Sequence, residues 1–499
     1  MEFDALLQRV AAYYKLRIPP ALGYSPSDLT DRLVQRLAHL YQAEFVAAFC
    51  GAKGELEPRQ LRLRGLSLNP SDGSMRISFG LTASLFLDFL LRWCYSLLSL
   101  MLAVRTRTGR RRATLVYGVG ADDIIRGGND AEFLAYCDSG PIAPLRDSSV
   151  LIVQLSARTE RSPGAKAFYA RSPLHALCLF AGLGPADALR LACLHIAAFA
   201  RLVRLAVAVP SLLLLARDFA EDATASVLNG AGLLEAVVLT NSNYSSQPLW
   251  MRPKPGRKFR VHMVWYSQNI RPLLRKSDPE LTAYPAHRLI RADVMWVWTR
   301  AFADYLGRIG IRADMQNVGP VLWRLPVQFP QEPRVDPLIA VFDVTPVTEA
   351  EAFRLGELDN YYSLATAQKF LQDIAEATES TATQTGRRAR IALKHKRGKV
   401  VNRDQKYFRF IEELIAKHGN LVVVPAQNSL YQMIENCDLV VAIPYSSPAY
   451  VASHLGKPCL FYDPTGTLRP TLEPAPLLEF ASGPAALALA LKNLVKLAR

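Results

Sequence analysis

Cysteine is scarce and unpatterned in this chain. The 499 residues hold seven, Cys50, Cys94, Cys137, Cys178, Cys193, Cys437 and Cys459, an odd number at wide spacings with no Cys-x-x-Cys and no Cys/His cluster. Such spacing offers no structural zinc site and fits reduced thiols in a cytosolic compartment. Several catalytic signatures are missing too. There is no Gly-x-Gly-x-x-Gly, and Gly118-Val119-Gly120 alone does not make one, so the nicotinamide fingerprint is absent. Asp-x-Asp, Gly-x-Ser-x-Gly and His-Glu-x-x-His are lacking as well, which removes the usual metal, nucleophile-elbow and zincin readings. The opening MEFDALLQRVAAYYKL is acidic early and has no unbroken apolar core, unlike a secretory signal. Repeats and low-complexity tracts are also wanting.

What is present is apolar mass and positive charge. Half the residues are hydrophobic and the net charge is +15. The first predicts ample burial, divided over two or three domains at this length. The second favours anionic partners without choosing among phosphate metabolites, acidic lipid and nucleic acid.

The periodicity predicts helices over residues 1–112. One of them, LTASLFLDFLLRWCYSLLSLMLAV from Leu81 to Val104, is long enough to span a bilayer. It is followed by Arg105, Arg107, Arg110, Arg111 and Arg112. Asp88 and Arg92 interrupt it four residues apart, a spacing at which they can pair on one face. A helix lying in the interface with its arginines on anionic headgroups explains run and flank together. A buried helix beside a solvated basic loop is the plainer reading. A second apolar region, Ala188 to Ala220, carries Arg201 and Arg204 and is broken by Pro210.

From Ala113 strands alternate with helices, which predicts parallel α/β sheets. Expected strands include ATLVY, SSVLIVQLS, LEAVVLT, KFRVHMVWYS and VGPVLW, with ADVMWVWTRAFADYLGRIG as a helix. Four prolines between Arg324 and Pro337 suggest a linker. A second α/β run then opens with LIAVFDVTPV. The expected organisation is therefore a helical, membrane-associating region 1–112, a Rossmann-like acceptor domain 113–330, a Rossmann-like donor domain 331–485 and a C-terminal helix 486–499. In such doubly wound sheets, ligands bind at the carboxyl ends of the strands.

Three loops of the second half gather phosphate-binding chemistry at strand ends. LKHKRGK supplies Lys394, His395, Lys396, Arg397 and Lys399, PAQNSL supplies Gln427, Asn428 and Ser429, and PYSSPAY supplies Tyr445, Ser446 and Ser447. The two serines precede a helix, where hydroxyls and N–H groups suit an anion, and Pro448 fits its first turn. An ordinary N-cap is the competing account of the serines, and a solvated face that of the basic run and of His395. In the first half, GADDIIRGGND gathers Asp122, Asp123, Asn129 and Asp130, one of which would act as a general base on an acceptor hydroxyl. Loop carboxylates capping helices are the simpler account. Asn241, Asn243, Tyr266, Ser267 and Asn269 suit sugar recognition, with Trp250 and Trp265 as stacking surfaces.

The stretch IPYSSPAYVASHLGKPCLFYDPTG resembles the signature of bacterial polysaccharide-biosynthesis PFTS-motif proteins. Their pattern runs approximately Pro-Phe-Thr-Ser-Thr, a helix, Gly-Lys-Pro, then Tyr-Asp-Pro-Thr-Gly. Pro444, Ser447, Gly456, Lys457, Pro458 and Tyr462 to Gly466 match it, while Tyr445 replaces Phe, Ser446 replaces Thr and Pro448 replaces the last Thr. MVWYSQN, VGPVLW, IAVFDVTPV and LKHKR extend the resemblance over roughly residues 113–470.

That resemblance implies surface-polysaccharide assembly by a metal-independent GT-B type glycosyltransferase, similar to sialyl- and Kdo-transferases. It implies donor-phosphate contacts from Ser446, Ser447, Lys394, Lys396 and Arg397. Gln427, Asn428, Tyr445, Asp343 and Thr345 would lie near the nucleotide. Asp122, Asp123 and Asp130 would be the catalytic candidates, and Asn241, Tyr266, Ser267 and Asn269 would meet the acceptor. The expected partners are a nucleotide-sugar donor as substrate, a glycan or lipid-linked acceptor and an anionic membrane surface, with no cofactor, metal or nucleic acid. The expected place is the cytoplasmic face of the bacterial inner membrane. A sugar-nucleotide 2-epimerase of the same architecture and a non-catalytic basic binding protein remain as alternatives.

Overall fold

The computed structural model describes residues 3–37, 61–63, 65–69, 71–106, 112–119, 131–154, 166–180, 183–240, 247–267, 276, 289–323, 325, 336–346, 361–386, 388–395, 405–425, 428–470 and 475–497. It divides into two compact units. The first comprises residues 1–265, 285–296 and 309–316, and the second residues 266–284, 297–308 and 317–499.

The first unit begins with α1 (Phe3–Lys15) and α2, a helix over residues 26–37. A small antiparallel sheet follows, β1 (Leu61–Leu63), β2 (Leu66–Leu68) and β3 (Met75–Ile77). An all-helical N-terminal region is thereby corrected. The local period in LSL and MRI is two, with Leu66, Leu68 and Met75 buried, and Gly73 N–H donates to the Asn69 carbonyl between the two strands. Helix α3 (Phe79–Thr106) contains the whole expected apolar run, and its Arg92 donates to Asp88 at 3.0 Å.

The main sheet of this unit has seven strands, β4 (Ala113–Tyr117), β5 (Leu151–Gln154), β6 (Ala167–Ala170), β7 (Leu234–Thr240), β8 (Arg260–Val264), β9 (Val294–Val297) and β10 (Asp314–Asn317). Their order is β10-β9-β8-β7-β4-β5-β6. Pairing is parallel from β6 through β9. Near-continuous burial along β4, β5, β7 and β9 is what a parallel sheet covered on both faces requires. The further helices of this unit are α4 (Ala131–Ser139), α5 (Ala143–Arg146), α6 (Pro173–Phe180), which packs on β4 and β5, α7 (Pro185–Ala208) and α8 (Ala216–Gly230). A 3-10 turn at Pro210–Leu215 separates α7 from α8, where proline was expected to break the run.

Two expectations fail in this stretch. Val294–Val297 is a buried strand and not the first turns of a helix, because the Val-Met-Trp-Val run is apolar on every residue and fits a strand covered on both faces. VGPVLW is irregular in its described residues and the edge strand is Asp314–Asn317 instead. Gly319 there has φ +70, a conformation that strands do not use.

The second unit carries α9 (Arg300–Arg308) and a six-stranded, wholly parallel sheet. Its strands are β11 (Leu338–Phe342), β12 (Arg390–Lys394), β13 (Leu421–Val424), β14 (Leu439–Ala442), β15 (Cys459–Asp463) and β16 (Leu478–Ser482), in the order β13-β12-β11-β14-β15-β16. Helices α10 (Leu364–Thr385), α11 (Gln405–Lys417), α12 (Leu430–Glu435), α13 (Ser447–His454) and α14 (Pro484–Leu497) complete it. Ser363 caps α10 by accepting from Thr366 N–H, and Gly386 closes it at φ +69. From β11 the chain builds β12 and β13 to one side and β14, β15 and β16 to the other. The topological switch point therefore lies between β11 and β14.

Candidate functional site

The register fixes which residues meet at the carboxyl edge of the second sheet. Phe342 pairs with Lys394 on one side and with Ala442 on the other. The next residues along, Asp343, His395 and Ile443, are thus neighbours at the switch point.

Asp343 organises this edge. Its buried carboxylate accepts from Tyr407 O–H at 2.8 Å and from His395 Nδ1–H at 2.8 Å, both on Oδ2, while Oδ1 accepts from Thr345 O–H at 3.3 Å. Burial, reinforced by Asp343, pushes the Tyr407 phenol well above its ordinary range and keeps it a proton donor. The imidazole edge-packs against Tyr407 and Phe408 of α11, with ring centroids 6.0 and 5.5 Å away. Its side chain keeps 11% of its surface accessible, so the ring is anchored on Nδ1 and reachable. With Nδ1 committed, Nε2 is the nitrogen that can exchange a proton or hydrogen bond with a ligand.

The serine stretch is built by an unusual backbone. Tyr445 has φ +62, a left-handed conformation that bulky side chains rarely adopt. Surrounding structure holds it there. The ring packs near Phe461 and Phe480, and the hydroxyl donates to the Arg469 carbonyl. The turn delivers Ser446 and Ser447 to the start of α13. Ser446 does not cap the helix, since its hydroxyl donates to the Ile443 carbonyl at 2.7 Å. The expected phosphate contact from Ser446 would require that bond to break. Ser447 is better placed, its Oγ 3.3 Å from Ser267 Oγ within the second unit. Two hydroxyls and the N-terminal turn of an eight-residue helix thus converge near the strand edge.

The remaining matched signature residues are scaffold. Asp463 is fully buried and binds Tyr361 O–H, both Thr465 N–H and O–H, and Leu468 N–H, which fixes the turn after β15. Tyr462 O–H binds Asp373 of α10, Lys457 reaches the Glu435 carbonyl at 2.6 Å, and Gly456 has φ +71 after α13. Tyr362 O–H binds the Pro444 carbonyl at 3.1 Å and supports the serine turn from behind.

Of the other expected donor residues, Lys394 is buried with its ammonium 3.5 Å from the Pro425 carbonyl, joining the ends of β12 and β13. Thr345 is buried against Asp343, and Asn428 is exposed just before α12. Tyr266 packs on Trp323 in the second unit, ring centroids 5.3 Å apart. Lys396, Arg397, Gln427, Asp122, Asp123, Asp130, Asn241 and Asn269 lie outside the described residues. Trp250 and Trp265 are corrected: both are 1% exposed or less, core residues that offer no stacking surface. Among the described residues no group of three or more His, Cys, Asp or Glu side chains could hold a metal ion.

The residue that sequence reasoning undervalued is His395. Its signal was topological. Asp343 and His395 each stand one residue beyond a strand, and those two strands are neighbours.

Two parallel α/β units, the second with a polar site at its switch point, define a doubly wound sheet protein. The chain belongs to the polysaccharide biosynthesis PFTS motif family, whose model matches residues 197–491. No curated protein matches the sequence. Among solved structures it is similar to TarM, at 10% identity and TM-score 0.34, over 56% of this chain and 51% of that one. It therefore spans about half of TarM. The wall teichoic acid polymerase TagF aligns over 83% of this chain and 89% of its own, at 11% identity and TM-score 0.37. An α,α-trehalose-phosphate synthase (UDP-forming) from Burkholderia vietnamiensis aligns over 77% and 91%, at 13% identity and TM-score 0.36.

Proposed function

We propose that the protein is a GT-B type glycosyltransferase of surface-polysaccharide assembly. It would move a sugar from a nucleotide donor to a glycan or lipid-linked acceptor at the cytoplasmic face of the bacterial inner membrane. The observation that carries the proposal is the convergence, at the switch point of the second sheet, of the family signature's Ser447 with the Asp343–His395 pair. Glycosyl transfer needs a departing phosphate stabilised as the glycosidic bond to it breaks. Ser447 and the first turn of α13 supply donors to that phosphate, and His395, in its doubly protonated form with Nδ1–H on Asp343, supplies a hydrogen bond or proton from Nε2. Asp343 anchors the ring through Nδ1–H and favours the imidazolium that can give up its Nε2 proton, and Tyr407 holds Asp343.

Membrane association has its own support in the first unit. Among the described residues, two helices are long and apolar enough to cross a membrane, Phe79–Leu98 and Pro185–Ala208, and only 11% and 28% of their apolar windows are buried. Leu87, Leu91, Tyr95 and Leu98 make one exposed stripe on α3, and Leu189, Ile196, Val203 and Val207 make another on α7. The helices are adjacent, Phe199 lying 5.7 Å from Phe86 and 5.3 Å from Phe89. A joined apolar face of this kind seats in the headgroup layer, with the Asp88–Arg92 pair covering part of its edge.

The test is thermal stabilisation of the full chain by CMP, UDP, GDP and dTDP. One nucleotide should raise Tm by mass action, and Ser447→Ala should weaken that response. No response to any of the four, or an unchanged response in the variant, would remove the donor site from the second unit.

A further inference from the structure

The first unit has a switch point of its own. From β4 the chain builds β5 and β6 to one side and β7, β8, β9 and β10 to the other, so the crevice lies between β4 and β7. A cavity of about 230 Å³ is found there, lined by Tyr117 at the end of β4, Gln154 at the end of β5 and Leu239 near the end of β7. Four arginines face it, Arg32, Arg36, Arg171 and Arg217, against a single carboxylate, Glu221.

Two of those charges are neutralised. Arg32 makes a two-pronged contact with Asp218, at 2.7 and 3.3 Å, and Arg217 donates to Glu221 at 2.7 Å. Among the described residues, Arg36 and Arg171 make no direct ion pair, and Asp218 and Glu221 act on Arg36 only through space. Arg36 Nε is buried without a hydrogen-bond partner, and burial holds the Arg36 guanidinium below its ordinary pKa. A buried guanidinium nitrogen without a partner is unfavourable unless an acceptor joins it. The cavity is also smaller than the roughly 300–1,000 Å³ of drug-sized ligand sites, so it suits a compact headgroup and not a whole nucleotide.

We propose that this cavity binds a phosphate or diphosphate ester, the anionic linkage of a lipid-linked acceptor. The inference rests on the transferase reading above and names its acceptor class. Planar guanidinium forks match phosphate oxygens, with Arg36 and Arg171 supplying the charge that no direct ion pair engages. The position favours a lipid source. Glu221, in the wall of the cavity, also pairs with Arg92 of the apolar helix α3 at 3.5 Å, and the cavity wall continues into the start of α6 at Ser172 and Pro173. A headgroup held there lies beside the face that would meet the bilayer.

Calorimetric titration of the full-length protein with inorganic pyrophosphate tests this. Arg171→Gln, an exposed position, and Arg36→Gln should each weaken binding about tenfold or more, the usual cost of a lost charged hydrogen bond, while nucleotide stabilisation stays as in the parent. Vesicles of phosphatidylcholine carrying a polyprenyl diphosphate should capture the parent better than plain vesicles, and Arg171→Gln should erase the difference. Equal pyrophosphate affinity in the parent and both variants would overturn the site, as would loss of all binding in Ser447→Ala. If pyrophosphate discriminates the variants but the lipid diphosphate gives no gain in capture, the lipid source is overturned in favour of a soluble phosphate ester. A normal pyrophosphate response with no nucleotide response would instead sink the transferase reading and leave the anion site standing.

Discussion

Replacing Asp343 with Asn separates positioning from mere packing at the second switch point. The amide is nearly isosteric, so its single oxygen can take the place of Oδ2 and still accept from Tyr407 and His395, with Thr345 rotating to accept from the new NH₂. What changes is charge. Two bonds to a carboxylate, about 1.5–3 kcal/mol each, become neutral bonds of about 0.5–1.5 kcal/mol. Relief of the buried charge offsets part of that loss, which leaves a destabilisation of about 2 kcal/mol. At about 2–4 °C per kcal/mol for a unit of this size, Tm of the second unit falls by about 4–8 °C. Tyr407→Phe serves as the control, because it removes one hydroxyl from the same carboxylate and keeps the carboxylate–imidazole bond, at a cost of about 1–2 kcal/mol.

Sugar transfer from the stabilising nucleotide's donor, measured well below either Tm, then divides the accounts. If Asp343 orients His395 as an acid worth roughly 10²–10⁴ in rate, Asp343→Asn lowers kcat about tenfold or more with little change in KM. His395→Gln does at least as much, and Tyr407→Phe stays within a few-fold of the parent. The reasoning is refuted if Asp343→Asn turns over like the parent, or if Asp343→Asn and Tyr407→Phe lose activity equally.

Three further outcomes follow from the same geometry. Tyr445→Phe restores the residue type of the family pattern but strands the Arg469 carbonyl, so denaturant unfolding should show a loss of about 1 kcal/mol with the fold intact. His175 and His262 are pushed down to about 4 by burial, so the unfolded chain, with histidines near 6.5, binds more protons in that interval. Their contribution is fully present above about pH 6.5 and fades as pH falls toward about 4, by about 1–3 kcal/mol each, and His262→Gln should flatten the pH dependence of unfolding over that window. Leu91→Glu with Val207→Glu, on exposed stripes of α3 and α7, should release the protein from phosphatidylglycerol vesicles in sedimentation without changing its Tm by more than about 2 °C. Retention on the vesicles would refute the apolar-face reading.

The alternation of apolar runs made the second sheet readable strand by strand up to β15, because parallel strands covered on both faces are apolar on every residue. The same property misled at Val294–Val297, where an all-apolar run looks alike as a strand or as a buried helix turn. Short edge elements were opaque. β6, β10 and β16 carry mixed burial, and their pairing is decided by the neighbour in the sheet and not by their own pattern.

The site was legible as a set of loops and illegible as a set of bonds. Loops that follow strands point to Ser447 and Lys394, and the family resemblance adds Asp343. Neither says which would bond to one another. Lys394, the obvious cation, is buried at the carboxyl end of β12 against the Pro425 carbonyl, while His395 is drawn onto Asp343 because the register sets those two positions side by side. The signature divides in the same way. Gly456, Lys457, Tyr462, Asp463 and Thr465 hold the turn, the helix end and α10 in place, whereas Ser447 carries its hydroxyl to the start of α13, beside that of Ser267. A motif can therefore mark a ligand site while most of its residues never touch the ligand. Substitutions at Asp463 should register as lost stability, and substitutions at Ser447 as a lost nucleotide response.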